Sequence, residues 1–135
     1  MEKKAIISIK SSQDIDQDGI SVVTPGEFFI LDKGFKAVYK ETELSGMEGT
    51  ITTLNIFDKS VELIREGSTT ALMNFEKGKE NVSLYNTPYG VLELRTKTLQ
   101  LDILVDNNGG KIVIEYEMSV QGQVPYKTNL EIEIK

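Results

Sequence analysis

Four residues make the strongest chemical suggestion in the chain. In "GFKAVYKE" (34–41), Phe35, Ala37, Tyr39 and Glu41 alternate onto one face. A strand face this apolar points inward and takes the Glu41 carboxylate with it. In "SVELIREG" (60–67), Val61, Leu63 and Arg65 share a face in the same way, and in "GTITTLNIF" Thr52 shares one with Leu54 and Ile56. An unpaired buried charge is very costly. Glu41 and Arg65 are therefore expected to meet by direct hydrogen bonds, with Tyr39 or Thr52 completing the set. Two roles fit such a cluster. It could orient the charged or hydroxyl group of a small ligand, which makes Tyr39, Glu41, Thr52 and Arg65 the candidate binding residues. It could instead be a structural ion pair sealing one end of the fold. The structural role is preferred, because a buried pair alone is weak evidence of function.

Other groupings of chemically capable residues are weaker. "DIDQDG" places Asp14, Asp16, Asp18 and Gly19 as in the opening of a calcium loop, but Pro25 stands where the closing bidentate glutamate belongs. An acidic turn that binds no metal is the expectation. Glu41/Glu43, Glu115/Glu117 and Glu131/Glu133 put carboxylates roughly 7 Å apart on a strand, the spacing of paired glycosidase acids. The last two pairs back onto clean apolar faces and read as solvated exterior. "GKEN" (78–81) lacks the glycine and the Lys-Ser/Thr of a phosphate loop. Tyr85 and Tyr89 could stack on a base, but without basic neighbours they read as packing or capping groups.

Composition narrows the chemistry further. The chain has no cysteine and no histidine, so disulfides, thiolate zinc sites, imidazole ligands and histidine-dependent triads are excluded. No catalytic motif and no cofactor signature remain, and an enzyme is the least favoured reading. A net charge of −6 disfavours nucleic acid and anionic membranes as partners. The opening residues do not form a signal peptide, and no stretch approaches a membrane span of about 20 apolar residues. A cytoplasmic protein is the expectation.

The elements that must position these residues are strands. The length of 135 residues suits one domain over 1–135. In "KIVIEYEMSV", Ile112, Ile114, Tyr116, Met118 and Val120 alternate with polar residues, and Tyr126, Leu130, Ile132 and Ile134 do so in "YKTNLEIEIK". That period of two marks strands packed on one side and wet on the other. "DKSVELIREG" (58–67) could form a short helix between Asp58 and Gly67, but the flanking hairpin signals favour a strand. Turns are expected at Asp18-Gly19, in "LDKG" (31–34) and at Asn108-Gly109. "NTPYG" (86–90) is expected to form a hairpin corner around Pro88 and Gly90, with one tyrosine packed back on the body. An antiparallel barrel or sandwich of about nine or ten strands follows, and closure would remove exposed edges.

The succession of "VYKETELSG", "LIREGSTTALMNFEKG", "LYNTPYGVLELRTKTL" and "GKIVIEYEMSVQG" resembles the YwiB-like family of bacterial domains of unknown function. The resemblance implies an all-β, calycin-like (lipocalin-like) antiparallel barrel and a cytoplasmic bacterial protein, with no established activity. Small barrels are either filled by side chains or leave room for one ligand. A small-molecule-binding barrel is the first expectation. The alternative is a filled barrel acting as a protein-interaction or dimerisation module, and a homodimer stays open.

Overall fold

The computed structural model describes residues 2–13, 16–45, 47–68 and 70–135. Ten strands follow one another: β1 (Glu2–Gln13), β2 (Asp16–Leu31), β3 (Gly34–Lys40), β4 (Thr50–Ile56), β5 (Ser60–Gly67), β6 (Ala71–Glu76), β7 (Glu80–Thr87), β8 (Gly90–Asp106), β9 (Gly109–Val120) and β10 (Tyr126–Ile134). A single 3-10 turn, Glu43–Ser45, interrupts the β3–β4 connection. All the ladders are antiparallel, in the order β6-β5-β4-β3-β2-β1-β10-β9-β8-β7, and the sheet curls into a nearly closed barrel.

That order divides the chain into two meanders, β1–β6 and β7–β10. They are joined where β1 pairs with β10, from Ile7 opposite Ile134 to Gln13 opposite Thr128. At the far side, β6 and β7 close the barrel incompletely. Thr70 and Asn86 exchange backbone hydrogen bonds of 3.0 and 2.8 Å as an isolated bridge. Below it, the Asn81 side-chain amide donates to the Asn74 carbonyl across 3.0 Å. The 76–80 turn is tied to β8 instead, through Gly78 N–H to Thr98 O at 2.8 Å and Thr98 N–H to Lys79 O at 3.0 Å.

The segment 60–67 is a strand, as its alternation requires, with Val61 and Leu63 fully inward. The barrel interior holds one continuous apolar cluster that includes Ile56, Val61, Phe75, Ile112 and Ile134. Phe28 and Phe35 stack there with ring centroids 5.5 Å apart, and each fully buried side chain of this size contributes about 1.5–3 kcal/mol.

Several turns differ from the sequence expectation. The β8–β9 hairpin turns on Asn107-Asn108, not Asn108-Gly109, because Asp106 pairs with Gly109. The Asp106 carboxylate accepts the Asn108 N–H at 2.8 Å, so a side chain braces the turn and the positive φ moves to Gly109, at 105°. Asp18-Gly19 is not a hairpin tip either. Gly19, with φ 64°, lies inside β2, beside the point where the β1–β2 register shifts between Ser11 and Gln13. Of the acidic loop, Asp14 lies outside the described residues, as do the side chains of Asp16 and Asp18. "NTPYG" is the two-residue corner expected, with Thr87 opposite Gly90. Tyr89 is exposed there, and Tyr85 is the tyrosine that turns back to the barrel.

Gly110 has φ 149°, and a Cβ there would collide with the Leu104 carbonyl oxygen on β8. Gly90 has φ 135° but open space around it. Gly110→Ala is therefore expected to cost about 3 kcal/mol, combining backbone strain with a clash. Gly90→Ala should cost about 1 kcal/mol from strain alone. Urea denaturation of the two variants measures the difference, and equal costs would contradict the close approach at Gly110.

Candidate functional site

The strand register assembles three of the four candidate residues into one row. Tyr39 on β3 lies opposite Thr52 on β4, and Thr52 lies opposite Arg65 on β5. Inward pointing is fixed by their neighbours, because Leu54 and Leu63 two residues along are buried. Glu41 follows Tyr39 by two residues, just beyond the end of β3. Its N–H donates to Thr50 O at 2.8 Å, which extends the pairing far enough to keep the side chain facing in.

The four side chains do meet, but not as the sequence suggested. The Thr52 hydroxyl donates to Glu41 Oε2 in a short hydrogen bond. Arg65 Nε stands 4.0 Å from the same oxygen, too far for a hydrogen bond. The expected direct Glu41–Arg65 hydrogen bond is therefore replaced by a looser ion pair with Thr52 bound to its acidic member. Thr52 sits between them in the row and reaches Glu41 first. Arg65 Nε is left buried with no hydrogen-bond partner among the described residues. The Arg65 side chain keeps 21% of its surface exposed and that of Glu41 only 4%, so the cation reaches outward while the anion is sealed in.

A second polar row stands across the interior. Tyr116 on β9 lies opposite Thr98 on β8 and Thr128 on β10. Thr98 is fully buried and its hydroxyl has no partner among the described residues. Burial raises the Tyr116 phenol above its ordinary pKa, and the nearby Arg65 charge works against that. Burial likewise raises Tyr39, Glu41 adds to the rise, and Arg65 again opposes it. Arg65 thus lies close to both phenols, one from each row.

Two cavities adjoin this cation. One, of about 120 Å³, is bounded by Tyr39, Glu41, Met47 and Arg65 among others. The other, of about 220 Å³, is bounded by Arg65, Tyr85, Tyr116, Tyr126 and Met118, with aliphatic side chains completing it. Arg65, Met73 and Tyr116 border both. Sequence reasoning placed Tyr116, Met118 and Tyr126 on inward faces but had no means of setting them opposite Arg65. That juxtaposition depends on which strands lie across the barrel, and strand patterning does not encode it.

The other carboxylate pairs are exterior. Glu115 bonds Lys127 at 3.1 Å, Glu131 bonds Lys111 at 2.9 Å and Glu133 bonds Lys135 at 3.2 Å. Glu43 is exposed on the 3-10 turn. None of these flanks a cavity with a second acid. Among the described residues no cluster of acidic side chains is arranged to hold a metal ion, and no helix is long and apolar enough to cross a membrane.

A family model described as a domain of unknown function, DUF1934, matches residues 6–132. The chain belongs to this family. The chain is also similar to the "Uncharacterized beta-barrel protein YwiB" of Bacillus subtilis (strain 168), 25% identical over 98% of this chain and 94% of its own length. The crystal structure of the ywiB protein from Bacillus subtilis superposes with a TM-score of 0.87 at 24% identity, covering 99% of this chain and 92% of that one. That likeness establishes the shared β-barrel fold. Membership in DUF1934 supplies no activity, so function must be argued from the interior.

Two predictions arise from this geometry. Arg65→Met leaves the sealed Glu41 carboxylate with Thr52 as its remaining partner. It should cost about 2–3 kcal/mol, below the ~3–5 kcal/mol for breaking a fully buried pair, because Arg65 is partly solvated. Adding Glu41→Leu should recover much of that loss in urea denaturation, and an unchanged Arg65→Met midpoint would mean the two charges are independent. The second prediction concerns alkaline pH. Tyr39 and Tyr116 hold their protons above the unfolded value of about 10, so above that pH the folded state binds more protons than the unfolded state. Their stabilising contribution is complete below about pH 10 and is lost as pH rises. The tyrosinate absorbance of these two, out of five tyrosines in the chain, should emerge together with unfolding.

Proposed function

We propose that the protein binds a small organic molecule in the barrel interior, at the end where Tyr39, Glu41, Thr52 and Arg65 gather. The observation that carries this reading is Arg65. Its Nε is buried without a hydrogen-bond partner among the described residues, and its side chain forms part of the wall of two cavities. A structural ion pair would be expected to use that donor, since an unmet buried hydrogen bond costs about 1–3 kcal/mol. A ligand acceptor would satisfy it.

Size supports the same reading. Each cavity alone is smaller than the ~300 Å³ at which drug-sized sites begin, which suits a ligand of few atoms, and the two share Arg65, Met73 and Tyr116 as a common wall. The surroundings have the usual character of such sites, an apolar lining with a few convergent polar groups.

A second reading, self-association, is favoured by one observation. Leu72, Val82, Leu84 and Val91 are exposed on β6, β7 and β8, beside the incompletely paired seam.

The methionines provide the test. Met47 borders the smaller cavity, Met118 the larger, and Met73 both. Carbon-13 methyl-labelled methionine in the intact protein should show saturable shifts at Met73 with a set of small organic compounds differing in charge. If no compound moves Met47, Met73 or Met118 while sedimentation shows a concentration-dependent dimer, the interior reading fails and the association reading replaces it.

A further inference from the structure

The two cavities differ in charge. The smaller contains both Glu41 and Arg65, whereas the larger is bordered by Arg65 with no carboxylate in its lining. The larger cavity therefore has one cation and no resident anion. Around that cation stand three phenols, Tyr85, Tyr116 and Tyr126. Burial raises the pKa of Tyr116 and Tyr126, so both carry their protons at neutral pH and can donate. The rest of the lining is methionine and aliphatic side chains.

We infer that the larger cavity is a site for an organic monocarboxylate, its head on the Arg65 guanidinium and its uncharged body among the apolar side chains of β8 and β9. This rests on the interior-binding reading above and assigns it a ligand class.

The donor set determines the choice. Arg65 presents a planar fork of N–H groups that matches a carboxylate with two parallel hydrogen bonds, and the phenols offer further donors to the same oxygens. A neutral alcohol would leave the guanidinium unmet. An amine would bring a second positive charge to a buried one. A phosphate dianion would exceed the single cation available, with Glu41 already close to its far side. A carboxylate carries the one negative charge that fits. Among the described residues the lining holds no second charged side chain to match another charge on the ligand, and its side chains beyond Arg65 and the phenols are methionine and aliphatic, so the body that fits is apolar.

Hexanoate, 1-hexanol and hexylamine, matched in chain and differing in head group, test the assignment on the methionine-labelled protein at neutral pH. Hexanoate should shift Met73 and Met118 saturably and leave Met47 in place. Its affinity should exceed that of hexanol by about tenfold or more, the effect of one charge-assisted pair. Arg65→Gln should remove that advantage and leave hexanol binding unchanged. Because Arg65→Gln isolates Glu41, the double variant E41Q/R65Q serves as the folded control and should lose hexanoate affinity equally. Glu41→Gln alone keeps the cation and removes a competing anion, so its hexanoate affinity should rise.

Hexanol or hexylamine binding as tightly as hexanoate would overturn the carboxylate assignment. So would hexanoate affinity unchanged in E41Q/R65Q, or shifts at Met47 in place of Met118. If hexanoate gives no shift while other compounds move the same methionines, the ligand class is wrong and interior binding survives. If nothing moves them, both fall.

Discussion

A barrel wall one residue thick gives each inward side chain only the interior to occupy, and at Glu41 this constraint seals a carboxylate inside. The polar half of the molecule is organised around that charge. Thr52 donates to it from the neighbouring strand, Arg65 approaches it from the next, and Tyr39 keeps its proton beside it. None of these placements is independent, because the β3–β4–β5 register fixes the row before any side chain chooses a rotamer. Arg65 comes near enough to compensate the charge but not near enough to hydrogen-bond it. The cation is thus held in place with its Nε donor unmet among the described residues.

The siting of the two cavities beside Arg65 has a related origin. Branched and aromatic residues such as Phe28, Leu54 and Ile112 are fully buried and interlock without polar atoms. Tyrosines and an arginine cannot, since their polar tips need partners or water and so hold neighbours apart. The larger of the two cavities at Arg65 lies where Tyr85, Tyr116 and Tyr126 converge on it. Sharing a barrel with YwiB across nearly the whole chain does not determine what enters that hollow.

Much of this was legible in the sequence because strand alternation is a strict code. The inward faces of β3, β4, β5, β9 and β10 follow from period two, and the flanking hairpin signals made 60–67 a strand. The corner at Pro88 followed from its turn chemistry. Contacts between elements distant in sequence were not legible. The pairing of β1 with β10, and hence the facing of Tyr116 and Arg65, depends on how the sheet curls. The Glu41–Arg65 contact was anticipated from charge compensation, but its 4.0 Å length reflects Thr52 reaching the carboxylate first. The turn on Asn107-Asn108 was displaced by one residue because the Asp106 side chain stabilises a different geometry. The Gly19 irregularity inside β2 looked like a hairpin tip because glycine serves both.

The β1–β10 ladder has a kinetic consequence. Apart from it, every ladder joins strands adjacent in the chain and can form as a local hairpin, whereas this one brings Ile7 to Ile134. The equilibrium penalty for so long a closure is modest, growing by only about 0.6 kcal/mol for each doubling of loop length. The cost falls on the route to the native state. Two half-sheets must each wait with a bare edge, and bare edges recruit other chains. The strands bearing those edges carry the apolar runs "AIISI" and "LEIEI". In β10, glutamates 131 and 133 alternate with the isoleucines, and Lys10 and Ser8 stand opposite them in β1. Two copies of the β10 edge would bring like charges together, while β1 offers Lys10 to Glu131. The alternation that turns a polar face to solvent in the finished barrel thus also biases its two halves, during folding, towards each other and away from a neighbouring chain.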